Sequence, residues 1–128
     1  MIPLPDDIRM VFTDRPGYLH VTVSGPRDSH EISLAFWLRI AEESRRRRAP
    51  KLLVVERLGE HEGGRDLPLL VDHLIEMGFD RLKVAYVVSR FELLAEMEFG
   101  EILALERGAT GRVFGDEGAA EAWLRHGG

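Results

Sequence analysis

The chain has no cysteine, which excludes disulfide staples, thiolate catalysis and zinc sites built on cysteine. Between Arg45 and Val88 it also lacks serine and threonine, so its central part carries no aliphatic hydroxyl nucleophile. No stretch approaches the ~18 consecutive apolar residues of a membrane span, and MIPLPDDIRM lacks the basic start and apolar run of a secretory signal. A cytoplasmic protein without stable membrane insertion is therefore expected. Positive charge is in the minority, with 17 Lys and Arg against 22 Asp and Glu and a formal net charge of −5. That balance argues against sequence-independent nucleic-acid binding, which needs basic surface to displace counterions from phosphates. Stretches rich in Ser, Pro or Gly that would divide the chain are missing too, as is any solenoid-like repeat.

What is present suits a single unit, 1–128. A hydrophobic fraction of 45% beside 30% charged residues is ordinary for a globular protein, and 128 residues are enough to enclose one core. Ile8, Met10 and Phe12 alternate with Arg9, Val11 and Thr13, and the alternation resumes at Leu19, Val21 and Val23 after Arg15-Pro16-Gly17, which predicts a β-hairpin. Ser24 to Arg27 is expected to break the second strand. Asp28 and Glu31 then have the spacing of a capping box, opening a helix with Leu34, Trp37, Leu38 and Ala41 along one side. Arg45 to Arg48 form a solvated basic end to that helix, favoured by its macrodipole, and Pro50 closes it.

Leu52 to Val55 is apolar without alternation, as in a parallel strand covered on both faces. Asp66 can cap the next helix, with Pro68 in its first turn and Leu67, Leu70, Val71 and Leu74 on one side. Leu82 to Val88 repeats the buried-strand pattern. Ser89 and Glu92 read as a capping box before a stripe of Ala95, Phe99, Ile102 and Leu103, and Gly108 ends that helix. Arg112 to Phe114 forms a short strand, and Asp116 caps a last helix that packs through Ala120, Trp123 and Leu124. The order β-β-α-β-α-β-α-β-α defines an α/β fold whose sheet is mostly parallel, opened by an N-terminal hairpin and flanked by helices.

The hairpin, the strands KLLVVE and LKVAYVVS, and above all the ending RVFGDEGAAEAWLRH resemble the SpoIIAA-like proteins, related in fold to STAS domains and more loosely to CRAL-TRIO lipid-transfer domains. The resemblance spans nearly the whole chain. It implies a sequentially ordered sheet backed by helices and, for the small bacterial members, no established activity. STAS domains that antagonise anti-sigma factors carry a phosphorylatable serine, usually in an Asp-Ser pair, after the third strand. The corresponding stretch here, VVERLGEHEGGRD, has none, so a phosphoserine switch is not expected.

Ligands of open α/β sheets gather at the carboxyl ends of the parallel strands. The loops expected there are 24–27, 57–65, 89–90 and 115–116. The longest, Arg57 to Arg65, supplies most of the candidate ligand-binding set: Arg57, Gly59, His61, Gly63, Gly64 and Arg65, joined by Arg90. Its glycines permit close backbone approach and its arginines can meet an anion, although the same glycines would serve a long crossover without a ligand. Glu60, His61 and Glu62 are adjacent and cannot all point at one metal, and neither His-x-His nor His-x-x-x-His occurs, so no metal site is expected. No nucleotide motif is present, no cofactor is expected, and no catalytic residue is assigned. The expected function is non-enzymatic binding of a partner protein or a small ligand at these loops. The alternatives are a lipid or fatty-acid carrier, with an apolar pocket near Phe36, Phe91, Met97 and Phe99, and hydrolysis or transfer using Glu60, His61 and Asp66. The hairpin's free edge could support a homodimer, while the Arg run and acidic helices could equally keep the chain monomeric.

Overall fold

In the computed structural model, which describes residues 2–126, the first alternating segment is strand β1 (Arg9–Arg15), paired antiparallel with β2 (Tyr18–Ser29). Pro16 presets its own φ and Gly17 takes φ +87°, so the turn between them needs only these two residues. There follow α1 (His30–Arg47), β3 (Lys51–Glu62), α2 (Leu67–Glu76), a 3-10 turn at Phe79–Arg81, β4 (Lys83–Val88), α3 (Phe91–Glu106), β5 (Thr110–Phe114) and α4 (Glu117–His126). The strands lie in the order β1-β2-β3-β4-β5, parallel from β2 onward. The mixed α/β class and the order of elements are those expected from the sequence.

Strand periodicity divides the apolar residues between two layers. Leu19, Val21, Val23, Leu52 and Val54 point to one face, where Ile32, Phe36, Trp37 and Ile40 of α1, Leu67 and Leu70 of α2, and Leu93 and Met97 of α3 cover them. Trp37 packs edge-on against Phe79, with ring centres 5.2 Å apart, and lies 5.5 Å from Tyr86. Leu53, Val55, Ala85 and Val87 point to the other face, which Ala120 and Leu124 of α4 cover. Two lysines at the starts of β3 and β4 hold the far end of α4. Lys51 Nζ donates to the Leu124 carbonyl at 2.9 Å and Lys83 Nζ to the Trp123 carbonyl at 3.0 Å. Both cations meet carbonyls of the last turn of the helix, where positive charge is favoured.

Several local expectations are corrected. β2 does not break at Ser24, and β3 runs on to Glu62, so the long loop expected at 57–65 contracts to a turn at 63–65. The added pairs are Gly25 with Leu58, Arg27 with Glu60, Asp28 with His61 and Ser29 with Glu62. Pro26 is tolerated because β1 pairs no further than Ser24, which leaves that side of β2 an open edge. Gly59 passes so close to Pro26 that a Cβ there would stand 1.9 Å from the proline carbonyl oxygen. Ser29, not Asp28, caps α1, its hydroxyl accepting from Ile32 N at 3.1 Å. The Ser89–Glu92 box does not form either: Arg90 is the N-cap of α3 and makes no capping side-chain bond. Asp66 and Asp116 cap α2 and α4 as expected, accepting from Leu69 N and Ala119 N.

Two helices are also turned relative to their expected stripes. In α1 Trp37 and Ala41 are buried, but Phe36 and Ile40 complete the inner face and Leu34 and Leu38 are half-buried. In α3 only Leu103 of the expected stripe packs against the core, and the other three residues face outward. Leu93 and Met97 are buried, whereas Ala95, Phe99 and Ile102 are exposed.

Gly59→Ala is expected to lower stability by roughly 2 kcal/mol or more, since backbone must move to admit the methyl group. Gly64→Ala, with no atom within 4 Å of its Cβ, should change it by less than about 0.5 kcal/mol. Urea denaturation of the two variants checks this; equal effects would mean that the β2–β3 approach is not what Gly59 serves.

Candidate functional site

Three charged side chains, Asp28, Glu56 and Arg65, are drawn into the helix-covered layer at the carboxyl ends of β2 and β3. Glu56 lies in register with Val23 and Val88 and shares strand parity with Leu52 and Val54, so it enters the apolar layer and is only 2% exposed. Asp28, at the end of β2, is completely buried. A buried carboxylate needs donors, and Asp28 has them: Ser29 N at 2.8 Å, Ser33 Oγ at 3.1 Å and Arg65 Nη1 at 3.5 Å. Arg65, whose side chain is 8% exposed, also reaches Glu96 Oε1 on α3 through Nε at 3.1 Å.

Glu56 is less well served. Burial, and then the negative charge of Asp28, push its carboxyl up to about 7 against the opposing pull of Arg65 and Arg90. The Tyr86 hydroxyl is driven upward by burial and by the same two carboxylates. Near neutral pH, Glu56 thus exchanges between a proton-bearing and an ionised form. Arg90 Nε is the one buried side-chain nitrogen or oxygen among the described residues that has no hydrogen-bond partner.

Adjoining this cluster is a cavity of about 110 Å³ between α2, α3 and the β4–β5 part of the sheet. Its walls are mainly apolar, with Trp37, Leu70, Phe79, Met97, Ala104 and Val113 among them, while Ser33, Arg65 and Tyr86 link it to the buried charges. Glu101, on another wall, accepts from Val113 N at 2.7 Å, which ties α3 to β5.

The residues singled out from sequence do not assemble into one site. Arg65 and Arg90 act on Glu56. Arg57 is exposed on β3 opposite Ser24, on the face away from Glu56. Gly59 serves strand packing, and His61 Nδ1 lies 3.3 Å from the Gly63 carbonyl. Gly63, at φ +77°, and Gly64 form the exposed turn. Glu60 is exposed and Asp66 is engaged as a helix cap, so neither joins His61 as an acid–base set. Of the proposed pocket residues, Met97 lines the cavity and Phe36 is packed in the core, but Phe91 and Phe99 are exposed. Ser33 and Glu96 carry no sequence signal of a site, Asp28 reads only as a helix cap, and Glu56 reads as a strand end. The available signal was Glu56 itself, an acid ending the apolar run LLVV where a buried parallel strand was expected.

Among the described residues there is no group of three or more His, Asp or Glu placed to hold a metal, and no helix long and apolar enough to cross a membrane. No protein-family model matches the chain, and no curated protein matches it significantly.

An acid with a higher pKa in the folded than in the unfolded state takes up a proton on folding. Its contribution to stability is complete below the ordinary value of 4.5 and is lost as pH rises through about 7. Glu56→Gln cannot ionise and avoids that loss. Its stability relative to the parent should therefore rise by about 2–3 kcal/mol between roughly pH 5 and pH 8. Urea denaturation of both proteins across this range checks the sign; parallel pH profiles would show that Glu56 ionises as an ordinary carboxyl.

Proposed function

We propose that this chain is a SpoIIAA-like, non-enzymatic binding domain that takes a small, mainly apolar ligand into the cavity beneath α2 and α3. The carrying observation is the cavity itself, about 110 Å³ with mainly apolar walls, next to a cluster of buried charges. The pocket is partly open to solvent, so a ligand can reach its apolar walls and, once seated, takes them out of contact with water.

The charge balance favours an uncharged ligand. Arg65 already meets Asp28 and Glu96, so an anionic head group would add negative charge beside carboxylates that its guanidinium is neutralising. A neutral hydroxyl or carbonyl group could bond to Ser33 or to the Tyr86 hydroxyl without that penalty. Size favours nothing larger than a single ring or a short chain, because about 110 Å³ is less than the ~150 Å³ of a closed cavity that holds benzene. A long acyl chain would leave most of its length outside this space, which makes the fatty-acid carrier the weaker reading. The sequential sheet order and opening hairpin support the family assignment.

Thermal unfolding in the presence of benzene, phenol, hexanol and decanoate tests the proposal. Benzene, phenol or hexanol should raise Tm saturably, and Ala104→Leu, which fills the cavity, should raise Tm without ligand and abolish the response. Either no saturable response to any of the four, or an equal response in Ala104→Leu, would overturn it.

A further inference from the structure

Helix α3 is apolar on both sides. Its inner side supplies Leu93 and Met97 to the core, as a helix in an outer layer should. Its outer side should then be polar, yet it presents Phe91, Phe99, Ile102 and Leu105, which are 88%, 51%, 54% and 69% exposed. With exposed Ala95 these residues fall within one broad stripe at the helical repeat of 100° per residue. Single exposed apolar residues are unremarkable, but a continuous stripe on one helix is the mark of a docking surface.

Charge decides what covers it. Between Phe91 and Glu106 the helix carries Glu92, Glu96, Glu98, Glu101 and Glu106 and no Lys, Arg or His. Glu96 is held by Arg65, Glu101 by Val113 N, and Glu92 lies 3.8 Å from Arg90. Glu98 and Glu106 sit within the outward stripe, exposed and without an ion-pair partner among the described residues. A second copy laid on this face would bring the same carboxylates against each other, and an anionic lipid surface would be repelled.

We infer that the outer face of α3 docks a basic amphipathic helix of a partner protein, whose apolar side covers Phe91, Phe99 and Ile102 and whose Lys or Arg residues meet Glu98 and Glu106. This mode is helix-on-helix recognition with charge pairs interspersed among the apolar contacts. The surface lies on the opposite side of α3 from the cavity, and the inference holds whether or not the cavity is filled.

The probe is a fluorescently labelled Leu/Lys amphipathic peptide of the length of α3, compared by anisotropy with a peptide of the same composition whose Leu periodicity is scrambled. The amphipathic peptide should bind saturably and better than its scrambled counterpart. Phe99→Ser with Ile102→Ser should weaken it by about ten-fold or more, as loss of two central anchors does. Glu98→Gln with Glu106→Gln should reduce both the affinity and its salt dependence. Leu105→Ser provides a second apolar variant, and circular dichroism verifies that every variant is folded. Equal binding of the two peptides, or unchanged binding by the serine variants, would overturn the inference. So would self-association in sedimentation velocity that Ile102→Ser abolishes, which would make the occupant a second copy. Co-sedimentation with equimolar phosphatidylcholine–phosphatidylglycerol vesicles, lost in the same variant, would replace the partner helix with a lipid surface.

Discussion

The parallel pairing of β2 with β3 continues after both neighbouring strands have stopped. β1 leaves β2 at Ser24 and β4 leaves β3 at Glu56, yet β2 and β3 remain paired to Ser29 and Glu62. The two-stranded extension depends on the absence of a side chain at Gly59, where the chain passes against the Pro26 carbonyl. It brings β2 directly to Asp28 and Ser29 at the start of α1. On the other side it returns β3 through a short turn to Arg65, which meets Asp28. Without the extension these two charges would lie in separate loops.

Once buried, those charges set the character of that end of the domain. Asp28 is stabilised by two neighbouring donors besides Arg65. Glu56, on the last row shared with β4, meets the same burial and Asp28's charge as well, so its carboxyl titrates near neutrality. Arg65 belongs both to this cluster and to the cavity wall, where it joins Ser33, Tyr86 and the apolar side chains of α2 and α3. The polar and apolar halves of the site are thus neighbours through shared residues.

Helix α3 forms one wall of that site. Met97 and Ala104 of its inner side line the cavity, while Phe99 and Ile102 lie on its outer side. Gly100 also lines the cavity, and its Cα faces Leu67 closely enough that an added Cβ would make ordinary contact at 3.7 Å. The helix packs through Leu93 and Met97, with Gly100 and Ala104 beside them, and leaves Phe91, Phe99, Ile102 and Leu105 outside.

Local sequence determined the parts of this fold that local physics controls. The alternation in β1 and β2, the Pro16-Gly17 turn, the apolar runs of β3 and β4, and the Asp66 and Asp116 caps each depend on residues close together in the chain, and each was legible. Tertiary structure decided the rest. Strand breaking at Ser24-Gly25-Pro26 was the natural local reading, but pairing with a segment more than thirty residues away kept those residues in β2. The phase of α3 was hidden because apolar residues occur all around it, so periodicity alone could not choose an inner face. Of the candidate site, Arg65 and Arg90 were visible as charges in expected loops. Asp28 read as a helix cap and Glu56 as a strand end, because whether a carboxylate is buried beside another one is fixed by strand register and helix packing, and neither is written in its immediate neighbours.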